Sequence, residues 1–237
     1  MSYKLPYEHR RYSQHGEDGI IQTMTDAVLQ PNRWFLEIGW GDGTQNMTRN
    51  LIEQGWSGVA VDGGHCPSID LPSNVEFRSI YITPECLDQA FDGVPWDLDF
   101  FSLDIDSFDF EVAAWALARG YRPKTLCLEF NHRFGASAVA SFPWTERRGK
   151  GIYNKRYLHG VSLAKYREFW QSQGYSYFGF DTSCVNVFFY DTQQLASLQH
   201  LPLLDISDLP GQEDLVRSAV QDSPHWRDCV HRIYQSL

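Results

Sequence analysis

The chain alternates short apolar runs with longer stretches in which apolar residues recur at helical spacing. Apolar runs typical of buried strands lie at about residues 34–39, 58–62, 75–80, 98–104 and 125–130. Helical spacing is found from Glu17 to Leu29, from about residue 109 to 119 and over residues 162–173. Strands that alternate with helices in this way predict a mostly parallel sheet that is covered on both faces.

Two further apolar runs, Tyr175 to Phe180 and Val185 to Tyr190, lie too close together for a crossover helix to fit between them. They predict an antiparallel strand at the C-terminal end of the sheet. The expected fold class is therefore α/β, with a seven-stranded, mostly parallel sheet. We expect one domain over residues 1–204, with an irregular insertion at about 132–160. The polar tail over residues 205–237 is expected to be helical, as a surface helix or as the contact of a homo-oligomer.

The segment from Phe35 to Gly43 runs from an apolar strand into a turn with glycine at alternate positions, and residues from Thr44 onward have the pattern of a starting helix. A strand, a glycine turn and a helix N-terminus together let the backbone approach a ligand closely. The next strand ends in Asp62, about twenty residues after the turn, where a carboxylate can accept hydrogen bonds from ribose hydroxyls. This spacing predicts a site for an adenosine cofactor.

The charges around the turn indicate which adenosine cofactor would fit. Glu37 lies two residues before the first glycine and Asp42 lies inside the turn, so a pyrophosphate would be repelled. No Gly-Lys-Ser or Gly-Lys-Thr follows the turn, which excludes a P-loop. S-adenosylmethionine carries a sulfonium and an ammonium group and no phosphate, so the sequence favours it. The alternative is a tight structural turn without a ligand.

A second group of polar residues follows two later strands. Asp104 and Asp106 come at the end of one strand, and Glu129, Asn131 and His132 come at the end of the next. Open parallel sheets bind ligands beyond the carboxyl ends of their strands, so both sets should lie near the glycine turn. Oxygen ligands of this kind suit a hard divalent cation such as Mg²⁺, which could activate a substrate hydroxyl. His132 is the candidate general base or additional ligand.

Structural roles for the same acids remain open alternatives. Asp106 or Asp109 could cap the following helix. Glu129 could pair with an arginine or hold the ammonium group of S-adenosylmethionine.

The insertion over residues 132–160 is basic in an otherwise acidic chain. It carries six lysines and arginines against one acid, Glu146, whereas the whole chain has a net charge of −10. A long loop at the active edge of an α/β domain typically forms a substrate lid, so we expect a small-molecule substrate that carries an anionic group. A solvated loop whose cations pair with surface acids is the alternative. The net charge argues against a nucleic-acid backbone or an anionic membrane as the main partner.

The cysteines and the absence of long apolar stretches suggest a cellular location. The five cysteines are scattered and form no Cys-x-x-Cys pair, so we expect buried free thiols at Cys127 and Cys184. The N-terminus lacks the apolar run of a signal peptide, and no stretch is long enough to span a bilayer. These features predict a cytoplasmic protein.

Several of these motifs, in this order, resemble one known family. Residues 12–21, 35–43 and 55–62 resemble the opening blocks of the FkbM-like S-adenosylmethionine-dependent methyltransferases, and residues 103–109, 128–131 and 184–189 resemble its later blocks. The resemblance covers about residues 12–190. It implies a Rossmann-like class I methyltransferase sandwich. The activity it implies is O-methylation of a sugar or another small natural product.

The resemblance also assigns roles to individual residues. Residues Ser13, Gln14, Glu37, Gly39, Gly41, Asp62 and Asp104 would contact the cofactor. The positions of Asp104 and His132 at the strand ends, rather than the resemblance, make them the candidate catalytic residues. The Mg²⁺ site of macrocin-type sugar O-methyltransferases would correspond to Asp104 and Glu129, with Asp106 or Asn131 as further ligands. The chain departs from the family pattern at Asp62, where glutamate is usual, and after Asp106, where a Gly-Asn turn is usual.

Two other functions fit the same pattern. The first keeps the cofactor but methylates nitrogen or carbon, or uses it for cyclisation. The second is a non-catalytic binding module on the same fold, which would hold partners through the basic insertion.

Overall fold

The computed structural model describes residues 7–134, 138–141, 144, 160–195 and 197–198. The described strands are β1 (Trp34–Ile38), β2 (Ser57–Asp62), β3 (Val75–Ser79), β4 (Phe100–Leu103), β5 (Thr125–Glu129), β6 (Tyr175–Phe180) and β7 (Asn186–Asp191). The described α-helices are α1 (Glu17–Asp26), α2 (Arg49–Glu53), α3 (Leu87–Phe91), α4 (Asp109–Ala118) and α5 (Leu163–Ser172). Most of the insertion at 132–160 and all of the tail at 205–237 lie outside the described residues, so both stay predictions.

The seven strands form one sheet in the order β3-β2-β1-β4-β5-β7-β6. Strands β1 to β5 pair in parallel, whereas β7 is antiparallel to both of its neighbours. This topology confirms the predicted fold, a Rossmann-like α/β architecture with a seven-stranded, mostly parallel sheet and a C-terminal antiparallel strand. The central strands are buried on both faces, which explains why they read as continuous apolar runs rather than as alternating ones.

Two elements differ from the sequence prediction. The helix expected from Thr44 begins only at Arg49, because side chains in the turn bind the intervening backbone. Asp42 accepts a hydrogen bond from the Thr44 N–H (3.0 Å), and Glu37 accepts one from Met47 N–H (3.0 Å). The short helix α3 and the 3₁₀ turn before it were not predicted, since a five-residue helix is too short to show a periodic pattern.

The predicted states of the cysteines are confirmed where the structure describes them. Cys127 and Cys184 are buried and carry free thiols, and Cys66 and Cys86 are also unbridged. Cys229 lies outside the described residues. Within the described ranges, no helix combines the length and the apolar character that crossing a bilayer requires.

The ends of β1 and β4 meet at the carboxyl edge of the sheet. Gly39 follows β1 with a φ of 89°, and a Cβ atom on it would lie 1.6 Å from the carbonyl oxygen of Asp104. Only glycine fits this contact and this backbone conformation. The glycine turn and the acids after β4 are therefore held against each other.

The opposite edge of the sheet is held by a buried ion pair. Lys124 Nζ lies 2.6 Å from Asp99 Oδ1 and also donates to the carbonyl oxygen of Gln30 (3.1 Å). Asp99 is fully buried, and its other oxygen accepts the Arg33 N–H (2.7 Å). The pair therefore joins the start of β5 to the starts of β4 and β1.

Replacing Lys124 with methionine should strongly destabilise the fold. The change leaves the Asp99 carboxylate buried without a cation, which typically costs about 3–5 kcal/mol. Urea unfolding followed by circular dichroism measures this loss. Asp88→Asn is the matched control, because Asp88 pairs with Arg119 on the surface (3.2 Å) and its loss should leave the midpoint nearly unchanged. Equal midpoints for the two variants would show that the buried pair contributes no more than the surface pair.

Candidate functional site

The three glycines of the turn have different surroundings, although all three have positive φ angles. Gly39 packs against the Asp104 carbonyl, and a Cβ atom on Gly43 would lie 2.2 Å from the Trp40 ring. A Cβ atom on Gly41 would meet nothing within 4 Å. Gly39 and Gly43 are therefore required by the packing of the protein itself, whereas Gly41 leaves open space at which a ligand can approach the backbone.

Asp62 ends β2 and binds the turn directly. Its Oδ2 atom accepts the Gly41 N–H (2.8 Å), and its Oδ1 atom accepts the N–H groups of Gly64 (2.7 Å) and His65 (2.8 Å). A carboxylate oxygen can accept two hydrogen bonds, so Oδ2 keeps capacity for a ligand hydroxyl. Asp62 thus lies where the sequence predicts a ribose ligand, and it also fixes the shape of the turn.

A cavity of about 160 Å³ opens beside Asp62. It is lined by Gly39, Val61, Asp62, Gly63, Gly64, His65, Ile80, Tyr81, Ile82, Ile105 and Ser107. Asp62, His65 and Ser107 are its polar lining residues, whereas three isoleucines, Val61 and the exposed Tyr81 supply large apolar surface. The volume is smaller than the roughly 300–1,000 Å³ of a site that encloses a whole drug-sized ligand. The cavity therefore suits the nucleoside part of a larger cofactor.

Glu37 lies next to the turn, but both of its oxygens already accept hydrogen bonds from the protein. Oε1 accepts the Met47 N–H (3.0 Å), and Oε2 accepts the Thr48 N–H (3.0 Å) and the Thr48 hydroxyl (2.5 Å). Burial raises the Glu37 pKa to about 7, although these hydrogen bonds act in the opposite direction. Glu37 therefore fastens the loop to the start of α2, and its predicted contact with a cofactor stays a prediction.

The predicted N-terminal contacts occupy different environments. Ser13 is fully buried, and its hydroxyl donates to Asp18 Oδ2 (2.7 Å). The same Asp18 oxygen also accepts the N–H groups of Arg11, Tyr12 and Ser13, so Asp18 fixes this segment to the start of α1. Gln14 is exposed to solvent. Of the two predicted residues, Ser13 has its hydroxyl already bound to Asp18, whereas the side chain of Gln14 is exposed to solvent.

Three of the predicted metal ligands come together beyond β4 and β5. Asp104, Asp106 and Glu129 each place a carboxylate oxygen within 4.8 Å of the others. The Oε2 atom of Glu129 is buried and has no hydrogen-bond partner in the described part of the chain. Burial, followed by the charges of Asp109 and Asp106, raises the Asp104 pKa to about 7. Burial, followed by the charge of Asp104, raises the Glu129 pKa well above its usual range.

These shifts mean that the cluster holds excess negative charge at neutral pH unless a proton or a cation is shared among its members. The spacing of the carboxylates and the unpartnered Glu129 oxygen fit a hard divalent cation bound by oxygen ligands. Asn131 is buried on the same edge, where its N–H donates to the Val161 carbonyl (2.8 Å). The role of Asn131 as a further metal ligand stays a prediction.

Asp109 has a structural role that differs from helix capping. It is the first residue of α4, and its two oxygens accept the N–H groups of Ile105 (2.9 Å) and Ser107 (2.9 Å). Asp109 therefore shapes the loop that carries Asp106. Asp106 itself is exposed, with a positive φ of 53°.

His132 lies in a 3₁₀ turn after β5, at the carboxyl edge of the sheet. Its Nδ1 atom lies 3.1 Å from the carbonyl oxygen of Cys184, an arrangement in which Nδ1–H donates. The neutral ring then carries its acceptor on Nε2, the tautomer that a general base needs. The role of His132 as general base or ligand stays a prediction.

Two polar residues in this region were not predicted from the sequence. The Tyr166 hydroxyl on α5 is buried and has no partner among the described residues. Its pKa is raised well above the usual range by burial first, and then by the charges of Asp109, Glu129 and Asp104, so it lies near the acidic cluster. Asn46, between the glycine turn and α2, is also buried, and neither polar atom of its amide has a partner.

No family model matches the chain, and no curated protein matches it. The FkbM-like resemblance of the motifs therefore stays a prediction. Among solved structures, the chain is similar to a candidate hemolysin from Lactococcus lactis, at 16% identity with a TM-score of 0.48, covering 80% of this chain and 97% of that one. It is similar to an O-methyltransferase from Bacillus cereus in complex with S-adenosylhomocysteine, at 14% identity and a TM-score of 0.43, over 72% of this chain and 77% of that one.

A third similar structure is the complex of DhpI with S-adenosylhomocysteine, at 19% identity and a TM-score of 0.36, over 72% of this chain and 84% of that chain. All three TM-scores are below 0.5. These similarities therefore say nothing of what this chain binds or catalyses, and its function has to be inferred from its own residues.

Proposed function

We propose that this chain is an S-adenosylmethionine-dependent methyltransferase that acts on an oxygen of a small-molecule metabolite. The observation that carries the proposal is the arrangement at one sheet edge of Asp62, the open Gly41 position and the three-carboxylate cluster. In this proposal, a nucleoside site and a site able to activate a hydroxyl would lie next to each other. The sequence resemblance to FkbM-like enzymes supports the same activity, with a sugar or natural-product-like substrate.

The nucleoside part of the cofactor would bind in the cavity beside Asp62. The remaining acceptor capacity of Asp62 suits the ribose hydroxyls, and the isoleucine side chains suit the face of an adenine ring. The residues that line this cavity include no lysine and no arginine. A lining with an acid and without lysine or arginine favours a cofactor without phosphate, and S-adenosylmethionine meets that condition.

The chemistry of transfer follows from the cofactor and from its placement. When bound, S-adenosylmethionine supplies a methyl group attached to a sulfonium. Once this methyl group is transferred, the rest of the cofactor is left as a neutral thioether. The protein therefore needs mainly to hold an acceptor oxygen in line with that methyl group and to exclude water. Asp104 follows β4 directly beside Gly39, so it lies between the cofactor turn and the rest of the acidic cluster.

Removal of the proton from the acceptor hydroxyl can use either of two groups at this edge. Asp104, Asp106 and Glu129 would hold a divalent cation such as Mg²⁺, which would supply Lewis acidity that lowers the pKa of a bound hydroxyl. His132 could act as a general base through Nε2. Metal dependence of turnover separates the two.

The substrate class and the cellular context rest on the sequence. The basic segment at 132–160 favours a substrate with a carboxylate, phosphate or sulfate group. We propose a cytoplasmic enzyme of natural-product biosynthesis, with the tail at 205–237 as a surface helix or as a homo-oligomer contact.

Asp62 should be required for binding of S-adenosylhomocysteine, the product form of the cofactor. In Asp62→Asn, one charged acceptor of the ribose hydroxyls is lost, which corresponds to about 1.5–3 kcal/mol, or roughly a 10- to 100-fold weaker affinity. Isothermal titration calorimetry with the purified protein measures the change.

Asp42→Asn is the matched control. Asp42 is an acid of the same turn, but it is half-buried, binds Thr44 and does not line the cavity, so its loss should leave the affinity within about twofold. No binding to wild-type protein would reject the methyltransferase assignment and favour a binding module. Wild-type binding that Asp62→Asn retains would reject the ribose role of Asp62.

Binding of Mg²⁺ should strengthen as the pH rises from about 6 to about 8. The reason is that protons compete with the cation for the carboxyl groups of Asp104 and Glu129, whose pKa values are raised. The pKa of Asp104 is raised to about 7, so below that value affinity should fall about tenfold per pH unit for each displaced proton. Calorimetry in two buffers of different ionisation enthalpy counts the protons released.

The stability of the folded protein should also depend on the competition between protons and Mg²⁺ at Asp104. The folded Asp104 carboxyl binds its proton more tightly than the unfolded one does, so without metal this group contributes stability that is lost as the pH rises towards 7. Mg²⁺ should restore that stability at high pH. The double variant Asp104→Asn, Glu129→Gln should respond to Mg²⁺ at no pH, whereas Asp42→Asn should respond like wild type. A metal response that survives in the double variant would place the cation elsewhere.

A further inference from the structure

We propose that Asn46 is a positioning residue that holds the amino-acid end of the cofactor, by binding its carboxylate and ammonium groups together. This inference rests on the proposed function and adds a contact that the sequence motifs do not assign. Asn46 is only 2% exposed, and both Nδ2 and Oδ1 lack a hydrogen-bond partner in the described residues. A buried amide in this state is costly, and such groups call for an explanation.

Another buried asparagine close by shows that the fold can satisfy an amide. Asn50, four residues along the chain, accepts a hydrogen bond from Arg11 (2.7 Å) and donates one to Gln22 (3.2 Å). Asn186 likewise donates to Glu17 (3.0 Å). Neighbouring buried amides are therefore hydrogen-bonded within the protein, whereas Nδ2 and Oδ1 of Asn46 have no hydrogen-bond partner in the described residues. This difference points to a ligand as the partner of Asn46.

The position of Asn46 suggests which part of a ligand it would meet. It lies between Gly43 of the glycine turn and Met47, whose N–H is held by Glu37. Gly39, at the start of the same turn, packs against the carbonyl oxygen of Asp104, so the turn begins beside the first acid of the cluster. A cofactor whose nucleoside binds at Asp62 would extend along the open Gly41 position towards this loop.

The chemistry of the amide narrows the ligand further. An asparagine side chain offers donors on Nδ2 and acceptors on Oδ1. A carboxylate alone would satisfy only Nδ2, and an ammonium alone would satisfy only Oδ1. An α-amino acid in its zwitterionic form satisfies both, and the methionine end of S-adenosylmethionine is such a group. Asn46 would then fix the end of the cofactor opposite to Asp62 and so help to orient the sulfonium between them.

The test compares two ligands that differ in the amino-acid end. S-adenosylhomocysteine carries it, and 5′-methylthioadenosine has the same nucleoside and thioether but lacks it. Calorimetry with the full chain should show that Asn46→Leu binds S-adenosylhomocysteine at least tenfold more weakly than wild type. It should bind 5′-methylthioadenosine within twofold of wild type.

Urea unfolding without ligand supplies a second measurement, the stability of the variant relative to wild type. If Asn46 had a structural role, its replacement would lower this stability. Leucine has a similar shape and removes the unpartnered amide, so Asn46→Leu should be at least as stable as wild type. Asn50→Leu is the matched control. It loses two hydrogen bonds made in the free protein, so it should be less stable, while its preference between the two ligands should be unchanged.

Each other outcome has a defined meaning. If wild-type protein binds neither ligand, the proposed function fails regardless of Asn46. If wild type binds both ligands and Asn46→Leu loses both equally or neither, the inference on Asn46 is overturned while the cofactor assignment stands. Asn46→Ala is the second variant in case leucine does not fit. Failure of both variants to fold would also overturn the inference, because it would show that the amide holds the free protein together.

Discussion

The contact between Gly39 and the carbonyl of Asp104 is the constraint on which the arrangement of the site depends. A Cβ atom at Gly39 would lie 1.6 Å from that oxygen, so β1 and β4 can end at this separation only because the residue is glycine. The Gly39 N–H also donates to the Val61 carbonyl (2.9 Å), and the Asp104 N–H donates to Ile38 (2.9 Å). The ends of three neighbouring strands are thereby fixed together. The glycine turn, Asp62 at the end of β2 and the acids after β4 thereby become parts of one site.

Acidic residues at this edge divide into two groups by what their oxygens bind. Glu37, Asp62 and Asp109 accept backbone N–H groups and shape the loops. Asp104 and Glu129 have no cation partner among the described residues, and their pKa values are raised by burial and by neighbouring acids. The oxygens of the first group are occupied by hydrogen bonds within the protein, although burial still raises the pKa values of Glu37 and Asp109. The second group is stabilised fully only when a proton or a cation is added, and it is therefore the group available for chemistry.

The sequence predicts more of the fold than of the site, for a physical reason. Buried parallel strands impose continuous apolar runs, and connection lengths impose direction, so the sheet could be derived residue by residue. The prediction of a helix from Thr44 was wrong because Glu37 and Asp42 accept hydrogen bonds from the intervening backbone. Hydrogen bonds of this kind leave no periodic pattern in the sequence. The acids at strand ends could be placed because the carboxyl edge is set by topology. Asn46 and Tyr166 could not be found, since a missing hydrogen-bond partner is a property of the folded chain only.

The two edges of the sheet differ in how their charges are balanced, and this difference bears on ligand choice. At the amino edge, Asp99 pairs with Lys124 (2.6 Å) and Asp191 pairs with Arg122 (3.0 Å). At the carboxyl edge, Asp104 and Glu129 have no such partner within the described ranges. Because partly buried charges are screened weakly, the carboxyl edge attracts cations and repels phosphates. Under the proposed function, this field would favour a sulfonium cofactor, whereas an anionic acceptor would need a metal ion or the basic insertion to offset it.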